Sequence, residues 1–109
     1  MTQSARRSGK SDSGAKIEVR NVNVPGWSAK VDAAKYEAMK VALLTILPKK
    51  SPGLTQTEMR HKVVFVVSQE LFPGGEKTDW WSKCVQLDLE SRGVIVRETA
   101  SKPLRWHRA

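Results

Sequence analysis

The stretch LTQTEMRHKVVFVVSQELFPGGEKTDWWSKCVQLDLESRGVIVRETASKPLRWHR, residues 54–108, decides the fold. It opens on a helix start. Thr55 and Glu58 have the S/T-x-x-E spacing of a capping box, in which each side chain accepts a backbone N–H of the other residue. Leu54 and Met59 take the flanking positions of a hydrophobic staple. Losing such a cap costs about 1 kcal/mol. The run Val63-Val64-Phe65-Val66-Val67 has the β-branched composition of a strand, but the caps and the length available favour a helix. Pro73-Gly74-Gly75 reads as a turn, and a third helix is predicted from Thr78 to Arg92, stopped by Gly93. At about 100° per residue, Leu87, Trp80, Cys84, Trp81, Val85 and Leu89 form one broad apolar arc, with Asp88 in its middle. Asp79, Ser82, Lys83, Gln86 and Glu90 fill the opposite face. After Gly93, Val94 and Val96 can face inward opposite Leu104 and Trp106, with Arg97, Arg105 and His107 outward and Thr99–Lys102 as the loop. Helix, turn, helix and hairpin in this order predict a winged helix-turn-helix.

Upstream, Asp32 is a suitable N-cap for a first helix over Ala33–Leu47. Tyr36, Met39, Leu43 and Leu47 recur there at helical spacing, Leu44 and Ile46 widen the stripe, and Pro48 ends it. Ile17 and Val19 alternate with polar residues, and Val22 and Val24 continue in the opposite parity. This pattern predicts one N-terminal strand, bulged near Arg20-Asn21, ended by Pro25-Gly26 and added to the hairpin sheet. The expected architecture is α+β, with three helices, a C-terminal β-hairpin and that N-terminal strand. Residues 1–16, rich in Ser, Gly, Lys and Arg, are expected to form a disordered basic tail, and residues 17–109 a single domain.

At 109 residues the chain suits one domain with a modest core. The runs Val41–Leu44 and Val63–Val67 are far shorter than the roughly 20 apolar residues of a membrane span. Arg6 and Arg7 are not followed by the apolar region of a secretory signal. A single cysteine, Cys84, excludes an internal disulfide and a multi-cysteine zinc site, and fits a reducing cytoplasm. The net charge of +8 gathers at the two ends. Arg6, Arg7, Lys10 and Lys16 stand against Asp12 alone, and Arg92, Arg97, Lys102, Arg105 and Arg108 against Glu98 alone. Such patches attract polyanions without reading sequence.

Several stretches taken together resemble a small family of uncharacterised bacterial proteins of unknown function with a winged-helix-like layout. They are Val31–Met39, Pro52–Thr55, Phe72–Gly75, Val85–Glu90 and Pro103–Arg108. The resemblance spans roughly residues 17–108 and carries no activity. It implies the fold and a bacterial cytosolic origin, and the broader winged-helix class implies nucleic-acid binding.

The expected function is therefore nucleic-acid binding through phosphates, using Arg97, Lys102, Arg105 and Arg108 of the wing with Arg6, Arg7, Lys10 and Lys16 of the tail. On the third helix Lys83 and Gln86 are the candidate base readers, with Lys77 and Arg92 near the helix ends for the backbone. Asp79 and Glu90 flank the readers and repel phosphate, which weakens specific major-groove recognition. The alternative is a protein-interaction or dimerisation module without DNA binding, for which Trp27 is the candidate exposed anchor. Trp80 and Trp106 are expected in the core, and Trp81 sits at the edge of its arc.

Asp88 needs donors if it is buried, either a Trp indole or Arg97 or Arg105 from the hairpin, and reads as a lock between helix and wing. Cys84 reads as a buried apolar residue, and His61 and His107 as exposed positions. Pro73-Gly74-Gly75 lacks the Lys-Ser/Thr of a P-loop. No acid–base or nucleophile constellation is present, so neither catalysis, cofactor nor metal is expected.

Overall fold

The computed structural model describes residues 14–109; the expectations for Arg6, Arg7 and Lys10 lie outside the described residues. Among the described residues the first strand is β1 (Lys16–Arg20), which starts one residue before the expected domain start. Strand β2 (Ser28–Asp32) follows and leads directly into helix α1 (Ala33–Ile46). Next come the short strand β3 (Leu54–Thr55), helix α2 (Gln56–Val63), a single 3₁₀ turn (Pro73–Gly75) and helix α3 (Thr78–Ser91). Strands β4 (Ile95–Glu98) and β5 (Arg105–Arg108) close the chain.

Two antiparallel sheets result. One has the order β3-β5-β4 and forms the wing, with Leu54 opposite Trp106 and Arg97 opposite Trp106 on its other side. The other is the separate β1–β2 hairpin, in which Ile17 faces Val31 and Val19 faces Ala29. The N-terminal strand thus exists but does not join the wing sheet. It stops at Arg20, and residues 21–27 fold back through turns closed by Val24 N–H to Asn21 O and Trp27 N–H to Val24 O. The alternation of Ala29 and Val31 after Pro25-Gly26 was the sequence signal for β2, since both pack against the core.

The helix starts form as their caps dictate. Asp32 accepts the Lys35 N–H at 2.9 Å. Thr55 and Glu58 make the reciprocal capping box at 2.9 and 3.1 Å. The backbone bond from Thr55 holds the Glu58 carboxyl below its usual range, with further help from Arg105. The β-branched run after α2 is neither strand nor helix: α2 ends at Val63, and 64–66 turn. Val63 and Val67 are buried, while Phe65 projects into solvent at 86% exposure. The crowding of consecutive β-branched side chains against the preceding turn explains why the helix does not run on.

One core joins all three helices to both sheets. It holds Val19 of β1, Tyr36, Met39, Leu43 and Leu47 of the first helical stripe, and Met59, Val63 and Phe72. Trp81, Val85 and Leu89 of α3, Ile95 and Trp106 of the wing, and Ala42 and Val67 complete it. In β4 the parity differs from expectation. Ile95 is buried and Val96 exposed, because Ile95 and Arg97 share the inward face with Trp106. Leu104 precedes β5 and is exposed.

Gly53 sits where β3 approaches β5. Its φ of +87° is left-handed, and a Cβ there would overlap the Trp106 carbonyl. Gly53→Ala is therefore expected to cost more than about 2 kcal/mol in denaturant unfolding, combining left-handed strain of roughly 1–2 kcal/mol with the clash. Gly26→Ala, at φ +88° with nothing near, should show the strain alone. Equal effects of the two changes would mean that the β3–β5 approach is not as tight as the fold requires.

Candidate functional site

Helix α3 is the hub, and its rotation about its own axis determines what the surface offers. Its buried residues are Thr78, Trp81, Ser82, Val85, Gln86, Asp88 and Leu89. The core-facing direction is turned by about 80° from the arc expected at 100° per residue. Small polar residues can be buried because they satisfy themselves locally: Thr78 Oγ1 donates to Gly75 O at 2.9 Å, and Ser82 Oγ to Asp79 O at 3.1 Å. Gln86, expected on the reading face, is 2% exposed and accepts only a long bond from Gln56. Trp80, expected in the core, is 57% exposed, whereas Trp81 is buried edge-to-face against both Trp80 and Phe72.

Two carboxylates near the end of α3 tie it to its neighbours. Asp88 is fully buried and accepts from Arg92 Nε at 3.0 and 2.9 Å, from the Tyr36 hydroxyl, and from the Arg20 backbone N–H at 2.8 Å. Arg92 also donates to Glu18 O, closing the link to β1. The donors are thus not Arg97, Arg105 or an indole, and the lock joins α3 to α1 and the hairpin instead of the wing. Burial pushes the Tyr36 phenol up, and its hydrogen bond to Asp88 adds to this; the bond to Asp88 likewise raises Arg92.

Glu90, expected on the solvent face, is the wing's anchor. It accepts the Trp106 indole N–H at 3.1 Å and Arg97 Nη2 at 3.0 Å. Arg97 Nε lies 2.7 Å from its other oxygen but out of line for a hydrogen bond, so that contact is ionic. The Arg97 guanidinium also stacks on the Trp106 ring at 5.5 Å and reaches Asn23 Oδ1 in the hairpin loop.

The other wing arginines are similarly engaged. Arg105 donates to Gly53 O and pairs with Glu58, and Arg108 Nε donates to Leu47 O. His107, expected to be exposed, is half-buried with its Nε2 3.6 Å from the Glu98 carboxylate, while His61 is exposed as expected. Of the basic residues proposed from sequence, Lys77, Lys83 and Lys102 are exposed and form no ion pair among the described residues. The structure does not bring them together: Lys77 caps the start of α3 in a left-handed conformation, Lys83 lies on its outer face, and Lys102 is at the wing tip.

The rotation of α3 builds a groove of about 590 Å³ on its outer face. Trp80, Cys84 and Leu87 form the floor at i, i+4 and i+7. The hairpin supplies one wall with Arg20, Asn21 and Trp27, and α2 the other with Gln56, Thr57 and Arg60. Trp27 is 46% exposed, as expected of it. Burial pushes the Cys84 thiol up to about 11, so it lines the groove as a protonated, unreactive side chain. A smaller hollow shares Gln56 and Thr57 with the groove and extends to Leu104 and Trp106 of the wing. The sequence signal for this site was the width of the apolar arc, too broad for one core face: Trp80, Cys84 and Leu87 are a second stripe.

These features make an α+β protein whose layout is consistent with a winged helix. It belongs to a family of unknown function, DUF6958, matched over residues 16–106. No curated protein and no solved structure matches the chain. Among the described residues no helix is long and apolar enough to cross a membrane, and no cluster of three metal-ligating side chains occurs.

The Asp88 lock has a measurable weight. Asp88→Ala is expected to cost about 3 kcal/mol, at the low end for a broken buried pair because Arg92 keeps 35% side-chain exposure and remains hydrated. Exposed Glu37→Ala should stay within about 0.5 kcal/mol. Tyr36→Phe should cost roughly 1.5–3 kcal/mol at neutral pH. Since folding raises the Tyr36 phenol above its unfolded value of about 10, its contribution is full below that pH and is lost as pH rises further. Alkaline melting curves should therefore fall more steeply for the native chain than for Tyr36→Phe; parallel curves would contradict the bond.

Proposed function

We propose that this protein is a docking module that binds a protein partner through the outer face of α3, using the winged-helix-like scaffold as a frame. The observation that carries this reading is the solvent exposure of Trp80 at 57%, beside Trp27, over a floor of Cys84 and Leu87. Two exposed indoles lining one groove with arginines, beside Leu87, have the composition of an interaction hot spot. The same face is poorly equipped to read duplex DNA. With Gln86 buried, only Lys83 and Asp79 remain there as polar side chains on α3, and Asp79 repels phosphate.

Nucleic-acid binding through phosphates is the second reading. It is favoured by the +8 charge and by the exposed Lys77, Lys83 and Lys102, together with the basic N-terminal residues. It is weakened by the engagement of Arg97, Arg105 and Arg108 within the domain.

A photo-crosslinking amino acid placed at position 57, on the exposed rim of the groove in the full chain, in the cells that produce it, separates the two. Docking predicts a discrete protein adduct from position 57 and none from position 37 on the exposed face of α1. The phosphate reading predicts instead that labelled duplex DNA binds in dilute buffer, weakens steeply with salt, and loses part of that slope in a chain beginning at Ile17. Duplex binding of that kind without a protein adduct would replace the docking reading.

A further inference from the structure

The strand arginines of the wing are internally neutralised or bonded: Arg97 to Glu90, Arg105 to Glu58 and Gly53 O, and Arg108 to Leu47 O. The cations around the α3 groove are not. The guanidinium groups of Arg20 and Arg60 and the ammonium of Lys83 form no ion pair and no side-chain hydrogen bond among the described residues, although all three line one hollow. Arg20 meets Asp88 only through its backbone N–H, so its side chain is left to the groove. Asp79 is the single carboxylate on the lining. Like charges held around a concave, partly apolar surface raise the local potential and attract an oppositely charged ligand.

The apolar part of the groove narrows the class of that ligand. Trp80, Cys84 and Leu87 run along one helix at i, i+4 and i+7, and Trp27 rises beside them. This is a stripe suited to the apolar face of an amphipathic segment laid along α3, with its own polar residues at the rim. A nucleic-acid strand would carry a phosphate on every nucleotide past Asp79, whereas a peptide can place its carboxylates opposite the three cations and leave Asp79 in water. We propose that the groove receives an acidic amphipathic segment of another protein. Its apolar side chains pack between Trp27 and Trp80, and its carboxylates pair with Arg20, Arg60 and Lys83. This assignment rests on the docking reading and adds the partner's chemistry to it.

Selection of random displayed peptides on the full chain, in dilute and in concentrated salt, tests it directly. The expected result is enrichment of peptides that combine Asp or Glu with Leu, Phe or Trp, and whose binding weakens as salt rises. Trp80→Ala should weaken the selected peptides on the order of thirtyfold, as for loss of a hot-spot aromatic. Lys83 is exposed, and Trp80 is 57% exposed but rests edge-to-face on buried Trp81, so melting curves of each variant establish that the fold is retained before binding is compared. Lys83→Glu should shift the selected composition away from acidic residues. Peptides that depend on Trp80 but show no acidic bias would overturn the charge assignment and leave docking intact. No enrichment, or enrichment indifferent to Trp80→Ala, would overturn both. Trp80-dependent binding of oligothymidylate that displaces the peptides would overturn both in favour of unpaired nucleic acid.

Discussion

Two carboxylates in the last turn of α3, two residues apart, hold this domain together. Asp88 gathers the Arg92 side chain, the Tyr36 hydroxyl and the Arg20 backbone N–H, and so fixes α1 and the β1–β2 hairpin to one side of the helix. Glu90 gathers Arg97 and the Trp106 indole, and so fixes the wing to the other. An ionised carboxylate away from water is tolerated only when its lone pairs are filled, so each anchor specifies a particular arrangement of donors from distant parts of the chain. The groove depends on this. Trp27 and Arg20 stand over the outer face of α3 because the hairpin is docked at Asp88.

The same anchoring explains why a strongly basic chain offers a less basic wing than its composition suggests. Arg97 is spent on Glu90 and Trp106, Arg105 on the cap of α2, and Arg108 on the end of α1. These arginines act as tethers between elements, using a planar fork that can bind carboxylate, carbonyl and indole at once. Apart from Lys102 at the wing tip, the cations left without ion pairs among the described residues lie elsewhere, three of them around one hollow.

Much of the fold was legible because it is written in local chemistry. The Asp32 cap, the Thr55–Glu58 box, the stripe of Tyr36, Met39 and Leu43, and the Gly93 stop each need only neighbouring residues to act. What could not be read was the choice among faces made by tertiary contact. The rotation of α3 that buries Ser82 and Gln86 and exposes Trp80 depends on α1, α2 and β1 packing around it together. The parity of β4 depends on Arg97 finding both Glu90 and Trp106. The donors to Asp88 are far from it in sequence, save Arg92 one helical turn away. The groove was half legible, since Trp27 stood out as an exposed anchor, but its floor was hidden inside an apolar arc attributed whole to the core.

Hydrogen exchange of backbone amides in Asp88→Asn and Glu90→Gln, compared with the native chain, tests the division of labour between the two anchors most directly. Asp88→Asn should speed exchange at Arg20 and across β1–β2 while the β4–β5 amides stay protected. Glu90→Gln should do the reverse. If either change loosens hairpin and wing alike, or neither, the two carboxylates do not hold separate sides of α3, and the groove they frame has lost its physical basis.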